Sequence, residues 1–135
     1  ALGYRVDYQG RSAVFSGDMR FDERIVAHSK RVDVMVLEVI SPEVEARRAQ
    51  VQDPKALERI LARHISPDQA GTLFTAAAPR LAVFTHIVPS PATADDLVPV
   101  ARKTYAGPLA IGYDLMTIVI GDTVDVFPRK TMSDK

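Results

Sequence analysis

Phe15-Ser16-Gly17-Asp18 ends an apolar run in a small turn and a carboxylate, and Leu81-Ala82-Val83-Phe84-Thr85-His86 ends another in an imidazole. Each puts a metal-capable side chain just past the end of a strand that reads as buried. In open α/β folds ligands collect beyond the strand ends, because side chains there escape the core while their backbone stays fixed. A third group, His64, stands between the two in sequence, just before a helix start at Ser66-Pro67. One carboxylate and two histidines are raw material for a metal site, but two strand-end ligands do not complete one.

Strand and helix patterns alternate on either side of these segments. Tyr4-Arg5-Val6-Asp7-Tyr8 and Ser12-Ala13-Val14-Phe15 flank Gln9-Gly10-Arg11, which predicts a hairpin with Gly in the turn. Residues 21–28 read as a helix with Phe21 and Ile25 on one face and His28 a candidate for the same face, and Val32 to Val39 as a buried, β-branched strand. Ser41-Pro42-Glu43 restarts a helix or loop, and residues 54–62 read as an amphipathic helix with Leu57, Ile60 and Leu61 inward. Ser66 caps a helix running to about Ala78, and Thr93 caps another running to about Lys103. Leu109-Ala110-Ile111 follows a Gly107-Pro108 turn, and a last hairpin folds around Gly121-Asp122. Residues 1–129 form one unit with no repeat or linker, and residues 130–135 read as a frayed tail.

Composition limits the function classes. A chain of 135 residues can bury a real core, and 47% hydrophobic with 25% charged residues is ordinary for a soluble domain. Lys+Arg and Asp+Glu both count 17, so there is no basic excess for indiscriminate nucleic-acid or membrane-surface binding. No apolar run approaches the ~20 residues of a membrane span. The absence of Cys excludes thiolate metal sites, disulfides and cysteine nucleophiles. The chain opens Ala1-Leu2-Gly3-Tyr4 without Met and enters a strand pattern at once, which suggests a processed or truncated start. The compartment, cytoplasm or periplasm, is not readable.

Five segments in order carry a resemblance: Phe15-Ser16-Gly17-Asp18, Val32-Asp33-Val34-Met35-Val36-Leu37-Glu38-Val39, His64-Ile65-Ser66-Pro67-Asp68-Gln69-Ala70-Gly71, Leu81 to Pro89, and Gly112-Tyr113-Asp114-Leu115-Met116. Together they resemble the C-terminal half of a metallo-β-lactamase-fold hydrolase, of the branch that holds tRNA 3′-end-processing ribonucleases and arylsulfatase-like hydrolases. None of the five is specific alone; their order and spacing over nearly the whole chain carry the likeness. The fold so implied is a layered α/β (α+β) one, half of a four-layer αββα sandwich with a metal site between the sheets at one edge. The family's first half supplies a His-x-His-x-Asp-His motif, whereas this chain has three His and no such motif. The resemblance therefore implies a partner, the N-terminal half of the same domain, lying outside this sequence.

Residue by residue, the resemblance implies that Asp18 bridges two zinc ions and that His86 is the last metal-binding His. On local chemistry alone Asp18 is also a candidate helix cap, and an isolated strand-end His is ordinarily held by backbone. His64 matches a His of the ribonuclease branch that stands near the scissile bond, and Glu38 matches its carboxylate partner; a bland reading of His64, as a dipole-favoured or linker residue, weighs about the same. Burying Glu38 is costly unless it is paired, which makes a Glu38–His64 hydrogen bond physically reasonable. Two positions depart from the pattern: Met19 stands where Thr often follows the Asp, and Leu37 where His often precedes the Glu. His28 matches no ligand, Asp114 reads as a structural loop residue, and Arg20, Arg24, Lys30 and Arg31 read first as a solvated face and second as an anion-facing cluster.

The implied activity is hydrolysis of an ester, phosphodiester or sulfate bond by a metal-activated water, with Asp18, Glu38 and His64 catalytic. Partners so implied are an anionic or ester small-molecule substrate, with RNA and a homo-oligomer both open and no membrane. The alternative is a non-catalytic interaction or structural module that keeps the fold without a complete metal site, a reading to which Met19 and Leu37 lend slight support. A receiver-like domain with Asp18 as phosphoacceptor fits poorly, because the chain opens with a hairpin and lacks an early acidic pair.

Overall fold

The computed structural model describes residues 2–49, 54–90 and 92–127. The expected tail over residues 130–135 lies outside them. Strands Tyr4–Tyr8 (β1) and Arg11–Phe15 (β2) form an antiparallel hairpin. Gln9 and Gly10 take φ of 48° and 74°, the two positive values of a tight hairpin turn, and only Gly takes such a value without steric cost.

From β2 onward the pairing is parallel, to β3 (Val34–Ile40), β4 (Leu81–Val88) and β5 (Leu109–Ile111), giving one sheet in the order β1-β2-β3-β4-β5. Parallel neighbours need crossovers. These hold α1 (Arg24–Ser29), then α2 (Pro42–Ala49), α3 (Pro54–Leu61) and α4 (Pro67–Ala77), then α5 (Ala94–Ala101). A separate hairpin of β6 (Thr117–Ile120) and β7 (Val124–Phe127) follows.

All seven residues of β3 are buried, as a central parallel strand requires. Strand alternation splits them between two faces. Met35, Leu37 and Val39 join Leu73 and Phe74 of α4 and Leu97 of α5 in the larger core, where Phe74 lies 5.7 Å from Phe84 and 5.4 Å from Tyr105 between ring centres. Val34 and Val36 join Leu81 and Val83 on the opposite face, where Ile118, Ile120 and Val124 of the last hairpin pack on them. That second face continues onto β1, because directly paired residues share a side: Ala13 belongs to it, so do Val6, Phe15, Tyr4 and Tyr8. Tyr4, Val6, Tyr8 and Phe15 are all exposed there. One face of the sheet is thus roofed by helices, and the other is covered only in part.

At the N-terminal ends of the strands a clasp fixes the last hairpin to the sheet. Arg80 Nη1 donates to Asp33 Oδ1 at 2.5 Å and to the Gly121 carbonyl at 3.0 Å, while Nη2 donates to the Asp122 carbonyl. The second oxygen of Asp33 accepts from Ser12 N at 2.8 Å, and Arg11 pairs with Asp122 at 2.9 Å. Burial pushes the Asp33 carboxyl up, but Arg80 and Ser12 together outweigh it and hold it below its ordinary value.

Most expected elements form. Ser66 and Thr93 both complete reciprocal capping boxes, with Gln69 and Asp96 as partners. Leu57, Ile60 and Leu61 are only half-buried on α3. Two expectations are corrected. The first helix begins at Arg24 rather than Phe21, because the Asp22 carboxylate accepts from Arg24 N at 2.9 Å and turns the chain in place of a helical bond; Phe21 is left exposed. Asp114 does not hold loop backbone: its side chain is exposed and makes no hydrogen bond among the described residues.

Candidate functional site

Strands β2, β3 and β4 run parallel, so their C-terminal ends lie side by side. Gly17, at φ 60°, turns the chain out of β2 and delivers Asp18 to the sheet edge. Glu38 lies on β3, in register with Val34 and Val36 on the face away from the helices. On β4 the register jumps: Glu38 faces Thr85, but Val39 faces Ile87, which leaves His86 as an extra residue. His86 sits at φ 40°, a region a β-branched or ordinary side chain seldom takes. Such a bulge re-aims a side chain, and strain of this kind gathers at functional sites. The sequence carries no signal for it.

Two carboxylate–histidine pairs result. Asp18 Oδ1 lies 2.7 Å from His86 Nδ1, with both side chains more than half exposed. Glu38 Oε2 lies 2.8 Å from His64 Nδ1, with Glu38 almost wholly buried at 1% exposure. The two imidazoles meet edge to face, their centres 6.0 Å apart. All four residues singled out from the sequence, Asp18, Glu38, His64 and His86, therefore stand at one strand-end edge. Neither histidine Nε2 has a hydrogen-bond partner among the described residues.

The buried Glu38 is satisfied on every side. Its Oε1 accepts from Ile65 N at 3.0 Å and Met19 N at 3.2 Å, and its own N–H donates to Ser16 Oγ at 3.3 Å. A buried carboxylate without such donors would be strongly destabilising. These contacts also tie the Asp18 loop and the His64 loop to the same strand. Ser16 and the Met19 amide were not legible as supports. The Met19 side chain packs against the larger core, so the departure from Thr places an apolar anchor where a hydroxyl would lie.

A cleft of about 550 Å³ opens beside the pairs, lined by Asp18, Met19, Arg20, Ala62, Arg63 and His64. A second of about 550 Å³ shares Asp18, Met19 and Arg20 with it and reaches Arg24, Ile25 and His28. The four-residue basic cluster read from the sequence is divided by the fold. Lys30 leaves it to donate to the Ala76 carbonyl at 2.7 Å. Arg24 is neutralised by Asp22 at 2.5 Å, and the guanidinium holds that carboxyl down at about 2. His28 lies exposed near the end of α1.

The donor set falls short of a metal centre. A catalytic zinc ordinarily takes three protein ligands, whereas Asp18 and His86 are two. Among the described residues no group of three His, Cys, Asp or Glu is placed to hold an ion. By themselves these residues do not fit a closed metal site. No helix among the described residues is long and apolar enough to cross a membrane.

Comparison with solved structures agrees with this architecture. The metallo-beta-lactamase fold protein YhfI from Bacillus subtilis superposes with a TM-score of 0.60 at 19% identity, over 80% of this chain and 39% of that one. A mutant of the CmlA beta-hydroxylase superposes with a TM-score of 0.52 at 14% identity, over 82% of this chain and 26% of that one. At these identities the likeness is one of fold, and the chain spans well under half the length of either structure. No curated protein sequence matches the chain. The family model described as beta-lactamase superfamily domain matches residues 1–87, which run from β1 through the His86 bulge. The chain belongs to the beta-lactamase superfamily domain family, whose fold it shares and whose members are commonly metal-dependent hydrolases.

Proposed function

We propose that this chain supplies the C-terminal share of a metal-dependent hydrolase site, completed by an N-terminal half of the same domain. The observation that carries this reading is the pairing itself. Two imidazoles 6.0 Å apart each have Nδ1 held by a different carboxylate, neither Nε2 has a hydrogen-bond partner among the described residues, and His64 lines a cleft. The exposed Tyr4, Val6, Tyr8 and Phe15 support it, because they leave apolar sheet surface on the face that also bears Glu38. A second sheet laid there would bury that surface and bring further ligands to Asp18 and His86.

In this reading Asp18 and His86 are the metal ligands of the chain, and zinc is the ion. When bound, the metal would acidify a water and polarise the bond under attack. Asp18 uses Oδ1 on His86 and retains Oδ2, so it can orient a ligand while holding the ring. A carboxylate can only accept, so Glu38 fixes the proton of His64 on Nδ1 and leaves Nε2 as the working nitrogen. A protonated Nε2 would then donate to the leaving group of an ester, phosphodiester or sulfate. The resemblance of the sequence to the tRNA 3′-processing and arylsulfatase-like branch is what suggests that substrate range.

The departures Met19 and Leu37 favour a second reading, a non-catalytic module. The two readings part on one experiment. The intact protein is assayed against aryl esters, phosphodiesters and sulfates with zinc measured in parallel. Turnover that chelation removes and zinc restores supports the hydrolase, and a metal-free protein without turnover supports the module.

A further inference from the structure

The carboxylates around the cleft are all engaged. Asp18 is on His86, Glu38 on His64, and Asp22 on Arg24. Arg20 and Arg63 are different. Both are exposed, both line the cleft that holds Asp18 and His64, and neither makes a side-chain hydrogen bond or ion pair among the described residues. They come from separate loops, one between β2 and α1 and the other between α3 and α4, so the fold and not local sequence brings them to one cleft. Arg20 lines the second cleft as well, again together with Asp18. In a chain of zero formal net charge, two guanidiniums thus face the one carboxylate of the cleft lining, Asp18, and Arg20 also acts on Asp22.

We infer that Arg20 and Arg63 form an anion anchor that selects substrates carrying a phosphate group. The inference rests on the hydrolase reading for its substrate and deepens it by naming the class. Guanidinium forks suit phosphate because they offer parallel N–H donors to two oxygens at once. A neutral ester gains nothing from the pair. Phosphate in the scissile bond and phosphate elsewhere on the substrate present the same oxygens to the anchor.

The test uses the intact protein with Arg20→Gln, Arg63→Gln and the double variant, each checked for an unchanged melting temperature. Three aryl substrates are compared: a phosphodiester, a carboxylic ester with a distant phosphate, and the same ester without it. Each single variant is expected to lower the selectivity for phosphate-bearing over neutral substrate about tenfold, chiefly through KM, and the double variant more. Added salt should reduce the wild-type preference in the same direction. Loss of preference for the diester alone places the phosphate at the scissile bond, and loss for both places it in the anchor generally. Binding of inorganic phosphate is measured on the same proteins by calorimetry. Phosphate affinity and selectivity that survive in the double variant would overturn the anchor. A wild type that turns over none of the three but binds phosphate through these arginines would overturn the hydrolase reading and leave the anchor standing.

Discussion

The two edges of the central sheet each bury a carboxylate against a cation-capable partner, and they use it differently. At the N-terminal edge Asp33 meets Arg80, both of its oxygens are bonded, and the Arg80 guanidinium spends its remaining donors on the Gly121 and Asp122 carbonyls. Nothing is left over, and the group ties a hairpin down. At the C-terminal edge Glu38 is equally well satisfied, but its partner is His64, whose Nε2 stays free beside a cleft. Buried charge alone does not mark function. An unspent donor or acceptor next to open space, backed by a rigid and fully bonded support, separates the second edge from the first.

The largest break in this comparison comes from Asp18. In the intact protein Asp18→Ala should reduce hydrolysis to background, since it removes the anion that holds His86 and that the proposed site assigns to the metal. Asp18→Asn should keep the shape and still be severely impaired. Steady-state kinetics checks both, and wild-type rates in either would return Asp18 to a turn residue.

Next comes His64. His64→Ala should lower turnover by about 10²–10⁴-fold while leaving zinc content near wild type, as expected of a positioned acid–base group. The defect should shrink for substrates with good leaving groups, which need no proton in the transition state. Glu38→Gln should be milder in the same series. A rate series graded by leaving-group pKa decides the matter: a uniform defect across it would make His64 a structural support.

The opposite edge should show a stability effect without a chemical one. Asp33→Asn should destabilise by about 2 kcal/mol, from the lost ion pair and weakened hydrogen bonds, with activity per folded molecule retained. The sign with pH follows from the lowered Asp33 value. A carboxylate depressed in the folded state stabilises above its unfolded pKa and loses that contribution as pH falls through the folded value. The gap between wild type and Asp33→Asn in urea unfolding should therefore be full above about pH 4 and close below it. A gap that widens in acid contradicts the assignment. The smallest effect belongs to the exposed Asp114, where Asp114→Ala should stay within about 0.5 kcal/mol in the same assay.

Much of this edge-to-edge contrast was legible in the sequence on one side only. Strand ends marked by Ser16-Gly17-Asp18 and Thr85-His86, and the capping signals at Ser66 and Thr93, depend on local chemistry, so short-range patterns expose them. The His86 bulge, the Met19 and Ile65 amides on Glu38, the Asp33–Arg80 clasp and the meeting of Arg20 with Arg63 depend on which loops the topology brings together. Asp33 and Arg80 are 47 residues apart and carry no motif. The early start expected for the first helix failed for a local reason, since Asp22 competes with the helix for the Arg24 amide.

The central claim is that the strand-end edge bearing Asp18 and His86 is the metal-binding share of a hydrolase site. Elemental analysis of the intact protein beside its Asp18→Ala and His64→Ala variants tests it most directly. The account predicts zinc retained through dialysis by wild type and by His64→Ala, and lost in part or whole by Asp18→Ala. A wild type without metal, or an Asp18→Ala protein that holds as much zinc as wild type, would contradict it.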